Sequence, residues 1–280
     1  MINYFNWRDT VESVESIIDQ PITRIVVLDN SGDEKEVTSL RKALGCYSCV
    51  DVMESNTNLG FAGGMNYVLN KKFPLGFDYF LILNNDIIAS ENLVKNLIEG
   101  SGSKSFDISS PIIYYYPQKD RLWSHGYYYN MMTGIVTHNP IAFLPRNCFY
   151  LTGCCMLIRR EVFEDIGLFD ETFFMYGEDV EFSYRAVKKG YRIGIVESAK
   201  LYHHVSLTTQ NNSPFYEYHI TRSHFLLINK FFNKPFKQAI SFIIKSITLS
   251  MRVLVRTIKY KNQNALSGFT KAFYERLYRS

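Results

Sequence analysis

The chain has 280 residues, 46% of them hydrophobic and 21% charged, which suits one large domain or a domain with a helical appendage. Its formal net charge of +4 is too mild to point to a nucleic-acid partner. Its five Cys build neither a disulfide framework nor a zinc site, because Cys46 and Cys49 have the Cys-x-x-Cys spacing without a second pair. Adjacent Cys154 and Cys155 read as reduced thiols with the rest. No basic-then-apolar leader opens the sequence, so a cytoplasmic chain is expected.

Met1 to Asn6 barely makes a strand. Asp9 and Glu12 read as a capping box ahead of Val11, Val14, Ile17 and Ile18 at helical spacing. Pro21 ends that helix, and Arg24 to Leu28 is a β-branched strand running into Asp29-Asn30-Ser31-Gly32. A helix over roughly Glu34 to Leu44 and a short strand, Val50 to Met53, follow. Asn58-Leu59-Gly60-Phe61-Ala62-Gly63-Gly64-Met65-Asn66 then leads into a helix ending near Lys72. Bare backbone at Gly60, Gly63 and Gly64 would let N–H groups approach an anion. The segment is neither a Walker loop nor a dinucleotide fingerprint, and a tight turn explains it equally. Strands alternating with helices predict an α/β, Rossmann-like, mostly parallel sheet with the motif-bearing turns on one edge.

Asp78 to Leu83 reads as a buried strand that stops at Asn84-Asn85-Asp86. A carboxylate with amide oxygens at a strand's carboxyl end is hard-ligand chemistry suited to Mg²⁺ or Mn²⁺. The simpler reading makes Asp86 a helix cap and Asp29 a turn former. From Asp107 to Leu151, aromatic clusters at Tyr114–Tyr116, Trp123 and Tyr127–Tyr129 are interrupted by Gly126, Gly134, Pro140 and Pro145. Short strands and hairpins fit this small antiparallel extension, either as an acceptor wall or as half-buried packing. A helix is predicted from Glu178, with Val180, Tyr184 and Val187 on one face and Gly190 at its end. Glu178 and Asp179 suit the helix dipole, and they also suit a general base behind the water-excluding Phe173-Phe174-Met175-Tyr176. His203 and His204 follow a strand, where an imidazole could join Asp86 on a cation.

The ordered set Asn3-Tyr4, Val27-Leu28-Asp29-Asn30-Ser31, Asn58 to Asn66, Leu83-Asn84-Asn85-Asp86, Gly167-Leu168-Phe169-Asp170-Glu171, Glu178-Asp179-Val180-Glu181 and His203 resembles the family 2 inverting glycosyltransferases. The rhamnosyltransferase-like branch of bacterial cell-surface polysaccharide enzymes is the nearest match, over about residues 1 to 230. That resemblance implies a GT-A fold, a nucleotide-sugar donor, a divalent cation and inversion by single displacement. It puts Asp29 on the base or ribose and Asn3 near the nucleotide, with Asn58, Gly63 and Asn66 along the nucleotide and sugar. Asp86 matches the last acid of the family's D-x-D metal motif, and His203 its later metal-binding histidine. Asp179 matches the acid that takes the acceptor proton, Glu178 orients it or binds acceptor, and Arg222 lies near the diphosphate. Asn84 replaces the first metal-motif acid, so one negative charge is missing. Only Met1-Ile2 precede Asn3-Tyr4, and a short first strand is expected.

By resemblance, dTDP-rhamnose is the preferred donor and a UDP-hexose such as UDP-galactose the alternative. The acceptor would be a glycan or a lipid-linked oligosaccharide. Residues 1–230 form the expected transferase domain, with a nucleotide-sugar part to about 106, an acceptor part from 107, and a helical tail over 231–280. In the tail, Phe236 to Tyr260 reads as one helix. Lys237, Lys245, Arg252, Arg256 and Lys259 fall within a sector of roughly 100°, beside an apolar sector that includes Ile243, Ile247, Met251 and Leu254. That pattern predicts a basic stripe lying on an anionic membrane surface, which would make the protein peripheral on the inner face of the plasma membrane. The other reading packs the helix on the domain with its cations in water. Competing functions are a sugar-nucleotide pyrophosphorylase, which would need an N-terminal Gly-rich triphosphate loop absent from Met1–Asn30, and a catalytically silent glycan- or membrane-binding subunit.

Overall fold

The β-branched run at Ile25–Val27 sits at the centre of a three-stranded parallel sheet in the computed structural model, which describes residues 1–72, 76–140, 147–204 and 213–278. Pro145 lies outside the described residues. The sheet is built from β1 (Ile2–Asn3), β2 (Ile25–Asp29) and β3 (Val50–Glu54), with α1 (Trp7–Glu15) and α2 (Glu34–Leu44) as its crossovers. Here α2 has the expected bounds, and the Asp33 carboxylate caps it by accepting from Lys35 N and Glu36 N. By contrast, α1 starts before the expected capping box. Asn6 is its N-cap, so Asp9 falls in the first turn and accepts from Asn6 Nδ2.

Next, α3 (Gly60–Lys72) begins at the first glycine of its cluster rather than after it. Gly60 has φ +71°, and a Cβ there would lie 2.1 Å from the Phe174 carbonyl oxygen. Gly64 is needed for packing, since its Cβ would meet Ile2 Cδ1 at 2.8 Å. The glycines thus seat α3 against β1 and the 174 loop, and only the first helical turn is left to face an anion.

The chain then forms β4 (Tyr79–Leu83), β5 (Ile87–Ala89), α4 (Leu93–Lys104), β6 (Ile108–Tyr115), β7 (Leu122–Ser124), β8 (Tyr127–Asn130), β9 (Val136–Thr137) and β10 (Asn147–Tyr150). After these come β11 (Cys155–Arg159), α5 (Arg160–Ile166), α6 (Glu178–Lys189) and β12 (Ile193–His203). A six-stranded sheet is ordered β4-β11-β6-β12-β5 with β7 beside β6, and β10-β8-β9 make a separate antiparallel sheet. Because β11 is antiparallel to both β4 and β6, and β6 is parallel to β12, strands β4, β6 and β12 point the same way. Their carboxyl ends share one edge with the start of β11. Helices cover both faces: Val14, Leu40 and Leu97 belong to one core, Met65, Val162 and Phe182 to the other.

Within the described residues β1 pairs with β2 alone, and a cavity of about 290 Å³ lined by Met1, Ile25, Leu69, Tyr79 and Leu81 lies between β2 and β4.

Three helices close the chain: α7 (Pro214–Phe231), α8 (Pro235–Tyr260) and α9 (Asn264–Tyr278). The extent of α8 is as expected, but its orientation is not. Of the expected outward basic stripe, Lys245 is fully buried, while Arg252 and Arg256 both donate to the buried Glu217 of α7. Lys237 and Lys259 remain exposed at the ends. The cations turn inward because Glu217 and the Tyr129 hydroxyl give them partners that solvent-facing positions lack.

Candidate active site

At the end of β2, Asp29 is 1% exposed and accepts from Asn3 Nδ2 at 2.8 Å and Ser31 Oγ at 2.7 Å. Asn3 Oδ1 accepts from Thr10 Oγ1, which in turn accepts from Asn85 Nδ2 at 2.8 Å, so this network joins the ends of β1, β2 and β4. Asn58 is drawn in through Asn30, whose Nδ2 donates to Asn58 Oδ1 at 3.0 Å. Asn66 is turned away from this edge: its amide braces the 169–171 loop, donating to Phe169 O and Glu171 Oε1 and accepting from Phe169 N. A Cβ on Gly63 would lie 3.9 Å from Glu171 Oε2. Arg222 of α7 donates to Thr172 O at 2.7 Å, on the loop that crosses Gly60.

Asp86 and His203 meet because β5 pairs with β12 in a register that sets His203 opposite Ile87. His203 Nε2 donates to Asp86 Oδ1 at 3.0 Å, and both side chains are buried. His203 Nδ1 is buried without a hydrogen-bond partner. A carboxylate and an imidazole with an unsatisfied nitrogen fit a divalent cation. Half-exposed Asn84 stands two residues away. Among the described residues no cluster of three or more His, Cys, Asp or Glu could hold a metal. A cation here would complete its shell with donor phosphate oxygens and water.

Gly177, at φ +92°, caps α6 and delivers Glu178 and Asp179 to the same region. Asp179 Oδ2 accepts from Gly153 N at 3.2 Å and Oδ1 from Val180 N at 2.8 Å. Gly153 adjoins Cys154, whose carbonyl accepts from Asn84 N at 2.9 Å. The base candidate and the metal-motif turn therefore flank the first residues of β11. Burial raises the Asp179 carboxyl above its usual range, against the pull of the backbone N–H groups. Asp179 is enclosed by protein on most sides but remains partly open to solvent. Glu178 is raised further, first by burial and then by the Asp179 charge, and its Oε2 has no partner. Burial therefore favours the protonated form of both carboxyls, and the Asp179 charge adds to that push on Glu178.

An aromatic wall runs between the two centres. The Trp123 ring meets His203 edge-on at 4.5 Å, and Tyr127 lies 6.4 Å beyond it. Tyr127 stacks on Tyr150 at 5.7 Å, and burial followed by the Asp179 charge raises the Tyr150 hydroxyl. His138 packs on both Tyr127 and His125.

The sequence profile described as Glycosyl transferase family 2 matches residues 1–167. The chain belongs to that family. The low-salt glycan biosynthesis hexosyltransferase Agl10 of Haloferax volcanii is 26% identical over 92% of this chain and 83% of its own length. Rhamnosyltransferase WbbL of Escherichia coli is 25% identical over 69% of this chain and 76% of its own length. Among solved structures, GalNAc-T7 with UDP, GalNAc and Mn²⁺ superposes with a TM-score of 0.60 at 17% identity, over 72% of this chain and 42% of that one. The mannosyltransferase PcManGT of Pyrobaculum calidifontis with GDP-Man and Mn²⁺ gives 0.59 at 14% identity, over all of this chain and 86% of that one. The fold is GT-A, and the protein is a glycosyltransferase.

One residue of this glycosyltransferase site escaped the sequence reading. Gly153 holds Asp179 through its N–H, and a Cβ there would crowd Phe61 at 3.1 Å. Thr152-Gly153 just before an apolar strand was the available signal. Trp123, named in the aromatic segment offered as an acceptor wall, packs on His203 and Tyr127 between the two centres.

Proposed function

We propose that this glycosyltransferase moves a sugar, with inversion, from a nucleoside-diphosphate donor to a glycan or lipid-linked acceptor of a cell-surface polysaccharide. dTDP-rhamnose is the preferred donor. Asp179 is the general base, and the donor's diphosphate sits between the start of α3 and the Asp86–His203 pair. The observation that carries this is the Asp179 carboxylate: raised above its usual range by burial, with no Lys or Arg paired to it among the described residues, and flanking the same first residues of β11 as the Asn84–Asp86 turn.

The acceptor hydroxyl oxygen attacks the anomeric carbon as the bond to the diphosphate oxygen breaks, and the hydroxyl proton passes to Asp179. Glu178, whose carboxyl is pushed towards its protonated form by burial, lies beside Asp179 and orients the base. Asp86 and His203 would hold Mg²⁺ or Mn²⁺, which neutralises the leaving diphosphate as a Lewis acid. Asp29 and Asn3 hold the base or ribose, Asn58 and Gly63 line the donor, and Arg222 stands near the diphosphate. Asn66 keeps Glu171 and the 169–171 loop in place. Trp123 and Tyr127 offer faces for an acceptor ring. Residues to about 230 form the transferase domain, and the tail keeps the enzyme at an anionic membrane surface on the cytoplasmic side.

A thermal-shift series with dTDP-rhamnose, UDP-galactose and UDP-glucose, each with Mn²⁺ and then with EDTA, tests the reading. A donor at 100 times its dissociation constant adds about 2.7 kcal/mol of stability. The proposal expects dTDP-rhamnose to give the largest shift and EDTA to abolish it. A larger shift with a UDP-hexose moves the donor assignment; no shift with any of them counts against the transferase site.

A further inference from the structure

An amphipathic helix on a water-soluble domain ordinarily buries its apolar face and shows its charges. In α8 the arrangement is reversed. Ser241, Lys245, Leu249 and Val253 form the buried line along the helix. Lys245 Nζ donates to the Tyr129 hydroxyl and the His224 carbonyl, each at 3.0 Å. Arg252 reaches Glu217 Oε2 at 2.6 Å, and Arg256 donates to the other oxygen. The opposite face presents Phe236, Ile243, Ile247, Met251, Leu254 and Ile258, each between 57% and 75% exposed. Their spacings of seven, four, four, three and four make one stripe along the helix.

By length and composition, α8 is the one helix among the described residues that could cross a membrane. Crossing would tear Lys245, Arg252 and Arg256 from their partners, so the helix can only lie flat. We propose that this outward apolar stripe is inserted into the interface of an anionic bilayer, with the helix axis in the membrane plane. This deepens the membrane part of the reading above and rests on it. The occupant follows from the charges. No carboxylate occurs anywhere in α8, while Lys237, Lys259 and Lys261 stand exposed at its ends. A second copy of the same helix would set like charges against each other with no acid to pair them; anionic headgroups supply the missing partner.

The inward ion pairs also tie the membrane plane to the site. Glu217, held by α8, and Arg222, which donates to the 172 carbonyl beside the donor loop, lie on the same helix α7. The active site is therefore carried at a fixed height and tilt over the lipid surface. That placement suits an acceptor whose sugar headgroup projects from the same leaflet.

The full chain should co-float with vesicles of phosphatidylglycerol and phosphatidylcholine. It should keep most of that binding when NaCl is raised tenfold, because apolar insertion carries it. Ile247→Glu with Leu254→Glu, both on the exposed face, should cut vesicle binding at least tenfold while leaving the melting temperature and donor-induced thermal shift unchanged. Three results would each overturn the proposal: binding that vanishes with salt, undiminished binding by the double variant, or a wild-type dimer that the variant dissociates and that ignores vesicles. Donor binding is read separately, so failure of the tail and failure of the transferase site give different patterns.

Discussion

Glu178 and Glu217 are both buried acids, and they keep opposite company. Glu217 is fully buried between Arg252 and Arg256, and its two oxygens are answered by two guanidinium groups. Glu178 lies against another carboxyl, with one oxygen unanswered. The first arrangement holds helices together. The second raises the proton affinity of an acid pair at a cost in stability, which is how a base is set apart from structural acids.

Breaking the structural pair gives the largest expected change in stability. Glu217→Gln leaves two part-buried arginines without their counter-charge and should cost about 3 kcal/mol, read from urea melts. A loss below ~1 kcal/mol would mean that the pairs form with little net gain. Lys245 sharpens the same region. Burial lowers its pKa from 10.5 to about 7, so the unfolded chain holds more protons between those values. The Lys245 contribution to stability should therefore grow as pH climbs from 7 towards 10, by on the order of 5 °C in the melting temperature of the wild type relative to Lys245→Met. Lys245→Met should flatten that rise, and an equally steep profile in the variant would assign it elsewhere. The smallest effect belongs to the acid pair. Both carboxyls are raised, so the folded chain holds extra protons and loses stability as pH rises from the ordinary carboxylate range through their folded values. Glu178→Gln should recover about 1 kcal/mol at pH 7 and leave transfer largely intact, since Gln mimics the protonated acid. A variant that is less stable and inactive would mean that Glu178 works ionised.

Periodicity and turn chemistry made much of this legible in the sequence. The bounds of α2, α6 and α8 follow from apolar spacing and end signals such as Gly190. Asp86 and His203 were expected to share a cation, and strand register brings them to 3.0 Å. What periodicity cannot report is which side of an amphipathic helix faces the domain. The pattern of α8 has two solutions, and a distant residue, Glu217, decides between them. Asn66 shows the same limit: its place in the motif pointed to the sugar, whereas its amide is consumed by a loop more than a hundred residues away. Gly153 was missed for the converse reason: a backbone N–H leaves no mark in a side-chain motif, and only its place before an apolar strand pointed to it.

The central claim is a division of labour across one sugar–phosphate bond, with Asp86 on the departing side and Asp179 on the entering side. Measuring donor affinity and transfer rate together in Asp179→Asn and Asp86→Asn tests it most directly. The account predicts that Asp179→Asn binds donor as the wild type does while transfer falls about 10²- to 10⁴-fold, and that Asp86→Asn loses donor affinity itself. Normal transfer by the Asp179 variant, or donor binding untouched by the loss of Asp86, would contradict it.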